Sequence, residues 1–354
     1  MPTGWGSFEW LPRIDADDAE WSRLARASGN LFATPEWQAA WWKHYGGDRP
    51  LLACIARDES GEAVAILSMY LVSQRPLRLV KFVGHGPGGV LGPICAPEDR
   101  GRAGAALRRA LEQAPVKWDA FVGEDLAGDE GWPGLTGAPV IRRTESPVVD
   151  VPSGGWDAYL AARSRNFRKK LGVAERKLAQ DHAVSFRLVD SRDGLEGALN
   201  TLFELYRSRW GTGSPVERFH REVAGIAADR GWLRLRTLDL DGRPAAVSFA
   251  FRFESTEWLV LAARDPALTE ESPGFVLRAH VLRDALDTGA TRCRLMRGGQ
   301  AYKQRFATSD PGLDTIALAR TPLGWAARTG LRASRSLPFG LRQKLARAGG
   351  YEGE

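Results

Sequence analysis

Apolar runs at residues 51–57 and 63–71 flank the segment Asp58-Glu59-Ser60-Gly61, and a second pair at 232–240 and 244–253 flanks Asp241-Gly242. An acidic residue leading to glycine between apolar runs predicts a β-hairpin, because such turns need positive φ. A third strand is expected at 257–263. The period then changes: Phe275, Ala279, Leu282 and Leu286 share one face of a helix over 273–288, opened by Pro273 and followed by Gly289. A strand at 291–296 comes next. Upstream, 195–210 predicts a helix with Leu195, Leu199, Leu202, Phe203, Tyr206 and Trp210 on one core-facing side, and 156–180 reads as a single amphipathic helix with Leu160, Phe167, Leu171, Ala174 and Leu178 inward. The second half therefore runs helix, helix, three meandering strands, loop, helix, strand, an α+β layout with one helical crossover.

A similar order is visible in the first half, an opening helical region followed by a hairpin. The chain has 354 residues, too many for one ordinary core and comfortable for two. The Gly-, Pro-, Ser- and Thr-rich stretch 132–155 places a boundary near Val151, giving units 1–150 and 151–320 and a basic amphipathic tail, 321–354. In that tail Leu323, Trp325, Leu331, Leu337, Phe339, Leu341 and Leu345 alternate with cations. Packing back on the protein is the preferred reading of the tail; peripheral contact with an anionic membrane is the other. The Gly/Pro-rich run 84–93 is expected to be a surface loop.

Composition, at 44% hydrophobic and 26% charged, is that of a globular protein. No apolar run reaches the roughly 18 residues that a membrane span needs, and the N-terminus lacks a cationic segment followed by an apolar one, so a cytoplasmic protein is expected. Cys54, Cys95 and Cys293 are odd in number and far apart, which predicts buried, reduced thiols. The five histidines show no metal-ligand spacing, so no metal is expected.

The net charge of +6 favours an anionic partner, and its distribution says more than its sum. Arg163, Arg165, Arg168, Lys169, Lys170, Arg176 and Lys177 crowd one helical stretch against Glu175 alone. A solvated helix face and a cradle for phosphate explain the cluster about equally well. The loop Thr269-Glu270-Glu271-Ser272-Pro273-Gly274 ends a strand and opens a helix, where free N–H groups suit a diphosphate; the motif alone favours the plainer reading, in which Ser272 caps the helix with nothing bound, and it is the order of elements that speaks for binding. Arg207 and Arg209 suit the C-terminal end of their helix. Nucleophile-elbow, Walker and dinucleotide motifs are all missing. What remains is chemistry that positions two substrates, polarises a carbonyl and moves a proton.

Phe32-Ala33-Thr34-Pro35-Glu36-Trp37 with Trp41-Trp42, the basic helix around Ser164 to Arg168, Arg207-Ser208-Arg209-Trp210, Asp265-Pro266 with Ser272-Pro273-Gly274, and the run from Gly298 through Tyr302-Lys303 to Phe306 carry a resemblance. Together they resemble the CelD/BioF2-like acetyltransferase family of the GNAT superfamily, similar in turn to the Fem peptidyltransferases. The resemblance implies two tandem GNAT-like domains, each a mixed, mostly antiparallel sheet flanked by helices, with a degenerate first domain on the acceptor side. It implies an acetyl-CoA or other acyl-CoA donor held at Ser272, Pro273, Gly274 and Phe275, and an amine acceptor between the domains. Arg165, Arg168, Lys169, Arg209 and Trp210 become substrate- or phosphate-binding. Lys303 would hold phosphate or polarise the carbonyl, and Tyr302 would protonate the leaving thiolate. Two alternatives accompany this: a Fem-like transferase using aminoacyl-tRNA, and a non-catalytic scaffold.

The sequence departs from the family pattern at Arg294, where an acidic residue is usual, and at Gly299-Gln300. Asp265, or failing it Glu254, is then left as the substitute carboxylate near the motif. In the first half, 97–106 is similar to the glycine-rich turn by which acetyltransferases cradle coenzyme A, but Ala103 replaces the central glycine, which favours a structural role there.

Overall fold

The computed structural model describes residues 5–151, 153–210 and 216–333. The chain begins with β1 (Trp5–Trp10), α1 (Ala19–Ser28), α2 (Pro35–Tyr45), β2 (Cys54–Asp58), β3 (Ala63–Leu67), β4 (Met69–Gln74) and β5 (Leu77–Phe82). Then come α3 (Arg100–Glu112), β6 (Ala120–Ala127), α4 (Trp132–Thr136), β7 (Val140–Thr144), β8 (Val148–Asp150), α5 (Gly155–Ala161) and α6 (Arg165–Asp181). The second half continues with β9 (Val184–Val189), α7 (Leu195–Trp210), α8 (Glu217–Asp229), β10 (Leu233–Leu240), β11 (Arg243–Phe253) and β12 (Thr256–Arg264). It closes with α9 (Pro273–Asp287), β13 (Arg292–Arg294), α10 (Ala301–Phe306), β14 (Leu313–Ala319) and α11 (Pro322–Ala333).

Local chemistry explains many of these boundaries. Asp18, Thr34 and Ser164 each accept a backbone N–H of the first turn of α1, α2 and α6. Asp241 and Gly242 both take positive φ, 53° and 75°, and turn β10 into β11 as the sequence predicts. The helix expected over 156–180 is broken into α5 and α6, because Ser164 starts a new helix and its cap cannot sit in a helix interior.

Both halves follow one order: strand, two helices, a strand meander, a helix, a strand. In each, the strands on either side of the last helix pair in parallel, β5 with β6 and β12 with β13. The sheets run β1-β2-β3 and β4-β5-β6-β14-β7 in the first half and β8-β13-β12-β11-β10-β9 in the second. Sheet membership crosses the division at residue 150. β8 pairs antiparallel with β13, and β14 inserts between β6 and β7.

The halves also share a core. Phe32 and Trp37 of the first half meet Trp258, Phe219 and Phe251 of the second edge to face, with ring centroids 4.8–5.9 Å apart across the Phe32–Trp37 cluster. Beneath α9, Arg236 of β10 and Arg252 of β11 donate to the fully buried Glu257 of β12 at 2.7 and 2.8 Å, and Arg236 also reaches Asp284 of α9. This ionic cluster fixes α9 against the sheet.

Two further expectations change, and one holds for its described part. The run 84–93 is largely buried, not a surface loop: a Cβ on Gly89 would fall 1.8 Å from Met296 Cε and 2.8 Å from Phe32, so glycine serves close approach here. The strand expected at 291–296 is only three residues long. Of the tail, 321–333 packs against the first half, with Thr321 Oγ1 donating to Asp119 at 3.0 Å; Leu337, Phe339, Leu341 and Leu345 lie outside the described residues. Cys54, Cys95 and Cys293 are free thiols, all buried.

Candidate active site

β12 and β13 pair at Thr256↔Arg292, Glu257↔Cys293 and Trp258↔Arg294 and then diverge, while β12 continues to Arg264. Beyond Trp258 the edge of β12 on that side has no partner strand among the described residues. The register with β11 slips between Phe249↔Leu261 and Ala250↔Leu259, making Val260 a bulge just past the point of divergence. A bulged residue leaves the ladder, so its backbone groups are available to the open slot.

The slot leads to the N-terminus of α9. Ser272 adopts φ 52°, unusual for a residue with a side chain, and makes no capping bond. Ser272 therefore gives no side-chain cap; its carbonyl oxygen accepts the N–H of Phe275 at 2.9 Å, and the N–H of Gly274 gains no bond from the Ser272 side chain. Gly274 admits the side chain of Arg264, whose Cδ would lie 3.5 Å from a Cβ there; Arg264 in turn donates to Asp265 O at 3.1 Å. One turn further on, Arg278 is 7% exposed, and burial pulls its pKa down. It forms no ion pair among the described residues and lies 5.7 Å from the ring centroid of Tyr302. The sequence reading missed both arginines. A signal was there, since Arg278 interrupts a stretch of α9 that is apolar nearly all round.

Tyr302 is 43% exposed on α10, while Lys303, one residue on, is buried. Lys303 Nζ donates to the carbonyl oxygens of Met296 and Arg297, so it pins the turn leaving β13. Phe275, Phe167 and Phe306 meet at 5.1–6.0 Å, which gathers the starts of α6 and α9 and the end of α10. Arg168 turns back to the carbonyls of Ala161 and Arg163, closing α5. Arg165 and Lys169 are exposed and make no ion pair among the described residues. Arg209 is exposed on the last turn of α7, which Trp210 ends; the side chain of Trp210 lies outside the described part. Asp265 sits at the end of β12, where its carboxylate accepts the N–H of Ala267 at 2.9 Å. Glu254 is at the opposite end of β12, beside Arg26 at 3.8 Å.

Carboxylates near the motif come instead from the first half, which no local pattern announces. Asp125 of β6 is buried at φ 61° and holds Arg297; burial raises its pKa, against the pull of that arginine. Glu124 accepts from Lys81 and Arg142 at 3.1 Å each and has His85 Nδ1 at 3.1 Å, and these neighbours keep it ionised against the cost of burial. Burial holds the His85 pKa down at about 4. Glu145 lies against the backbone of Gly299.

Residues 165–304 match the family described as Acetyltransferase (GNAT) domain. The chain carries a GNAT domain. The crystal structure of FemX superposes with a TM-score of 0.67 at 13% identity, over 90% of this chain and 100% of that one. The structure of L-PGS from Bacillus licheniformis gives 0.57 at 11%, over 91% and 98%. The C-terminal domain of a putative lysylphosphatidylglycerol synthetase from Agrobacterium fabrum gives 0.56 at 12%, over 89% and 94%. At such identities the likeness is one of fold. No curated protein matches the chain in sequence.

The matched GNAT domain is the half with the open slot. In the first half the corresponding lane is taken by the chain itself: Leu91 bridges Leu126 of β6, and Ile94 bridges Ile66 of β3 in both directions at 2.9 Å. The entry to α3 carries Glu98 and Asp99, and α3 holds Ala103 fully buried, the structural role its sequence suggests. The GNAT domain has an open strand edge, a start of α9 that has no side-chain cap and is preceded by Glu270 and Glu271, and the buried Arg278, which forms no ion pair among the described residues. No helix among the described residues is long and apolar enough to cross a membrane.

Proposed function

We propose that the chain is an acyl-CoA-dependent N-acyltransferase of the CelD/BioF2-like kind, working in the slot between β12 and β13. The observation that carries the reading is the free edge of β12 beyond Trp258, bulged at Val260 and ending beside the uncapped start of α9. Ser272 and Gly274 would hold the donor through backbone N–H groups, with Pro273 fixing the first turn, Phe275 lining it, and Arg264 and Arg278 supplying positive charge. The N–H of Val260 would stabilise the oxyanion as the acceptor amine attacks the thioester carbonyl. The C–S bond then breaks, and Tyr302 would protonate the departing thiolate. Lys303 supports this site by holding the turn at Met296 and Arg297 in place.

The test is thiol release from acetyl-CoA in the presence of amines. Tyr302→Phe should lower kcat by about 10²-fold and leave the KM for acetyl-CoA unchanged. An unchanged kcat would remove Tyr302 from the mechanism, and no thiol release with any amine would count against the reading itself.

One observation favours a second reading, transfer from aminoacyl-tRNA. Arg165, Lys169, Lys170, Arg176 and Lys177 lie exposed along α6 without ion pairs among the described residues, as a polyanion-binding face would. Tight tRNA binding that weakens steeply with salt, together with indifference to acyl-CoA, would replace the first reading by this one.

A further inference from the structure

β13 sends Arg292 and Arg294 to the same side of the sheet, facing the first half. Arg292 is fully matched, with Nε on Asp150 at 2.6 Å and Nη1 on Asp129 at 2.8 Å. Arg294 is not. It is 7% exposed, it bonds to no carboxylate among the described residues, and its Nη1 is buried without an acceptor. Its guanidinium lies 5.3 Å from the ring centroid of Trp258, whose Nε1 is also buried without an acceptor. Buried donors are nearly always satisfied, so two orphans side by side need an explanation. Nearby Asp129 acts on the charge of Arg294 but accepts its hydrogen bond from Arg292, so the buried Nη1 of Arg294 stays unmatched.

The place of the pair is informative. Trp258 and Arg294 are the last register partners of β12 and β13, so they stand at the vertex of the slot, two residues before the bulge at Val260. They look toward the first half, whereas Arg278 and Tyr302 belong to the side of α9 and α10. A donor thioester on the α9 side leaves the opposite side of the vertex to the acceptor. A planar guanidinium beside an indole N–H is suited to the two oxygens of a carboxylate.

We propose that the acceptor is an amine that carries a carboxylate, an amino acid or a close relative, and that Arg294 with Trp258 Nε1 holds this carboxylate at the slot vertex. The inference rests on the acyltransferase reading and narrows its substrate class. With the carboxylate held, the amine nitrogen bonds to the thioester carbonyl carbon and the C–S bond breaks with its electron pair on sulfur. One N–H proton neutralises the thiolate; an acceptor arriving as the ammonium ion gives its extra proton to water. Arg294 touches no reacting atom and sets only which amine is chosen.

The experiment compares matched acids and amides on the full chain: glycine with glycinamide, β-alanine with β-alaninamide, and 4-aminobutyrate with its amide. Two readouts are used, thermal stabilisation by each compound without donor, and thiol release with acetyl-CoA. In the unsubstituted protein at least one acid should exceed its amide by about tenfold or more in kcat/KM and stabilise the protein where the amide does not. Arg294→Gln should bring acid and amide within about twofold of each other, Arg294→Lys should restore part of the preference, and stabilisation by acetyl-CoA should persist in both variants. The proposal is overturned if acids and amides behave alike in the unsubstituted protein, if Arg294→Gln keeps the preference, or if O-phosphoethanolamine surpasses every acid. Absence of stabilisation by acetyl-CoA would instead defeat the acyltransferase reading, and acid binding measured without donor would still decide the role of Arg294.

Discussion

His220 lies on α8 among Phe219 and Phe249, fully buried, with neither ring nitrogen bonded to a side chain among the described residues, and burial lowers its pKa to about 4. Between that value and the ordinary histidine pKa near 6.5, the unfolded chain binds a proton that the folded one refuses. Stability contributed by neutral His220 is thus present above about pH 6.5 and is lost as pH falls toward 4, by an amount on the order of 3 kcal/mol. His220→Phe keeps the aromatic packing and removes the titration, so its melting temperature should fall less between pH 6.5 and 4.5 than that of the unsubstituted protein. Identical acid sensitivity in both would show that His220 is not responsible. Glu257 is wholly buried between Arg236 and Arg252, and Glu257→Leu would leave Arg252 without its carboxylate and Arg236 with Asp284 alone, at a cost of about 3–5 kcal/mol, readable as a lower urea midpoint. Tolerance of that change would mean that the network relaxes without it.

At the scale of elements, the meander β10–β11–β12 and the helices α7 and α9 are legible because their signals are local: an Asp-Gly turn, a helical period, a proline at a helix start. The loop before α9 is legible as a helix start for the same reason. Strands β8 and β14 are not, since three and seven residues give no clear period and their partners lie far away in sequence; β13 is legible as a strand, but not its shortness. The run 84–93 misleads because glycine and proline report backbone conformation, whereas burial depends on what packs against them. Gly89→Ala tests this directly. Its methyl group would collide with Met296 and Phe32, so a loss of about 1–3 kcal/mol is expected, read as a drop in melting temperature. No loss would mean that this turn yields easily. Arg278, Arg294 and the orphaned Trp258 Nε1 escaped sequence reasoning because an arginine in a helix or short strand reads as solvent-facing until the whole fold buries it.

At the scale of the whole molecule, two similar halves are tied together by exchange of strands and by a common aromatic core. β14 supplies an inner strand of the first sheet from the far end of the described chain, so a fragment of residues 1–150 lacks the strand between β6 and β7. Such a fragment should be insoluble or molten, whereas residues 1–333 should fold cooperatively; a well-folded 1–150 fragment, judged by near-ultraviolet circular dichroism, would contradict this. The same comparison of halves separates a lane closed by residues 91–94 from a slot left open beyond Trp258, and the functional reading depends on that difference. Amide hydrogen exchange with and without millimolar acetyl-CoA tests it most directly. The account predicts new protection at residues 259–264 and 274–276, with the start of α3 unchanged; no protection in the second half, or protection confined to residues 91–101, would contradict it.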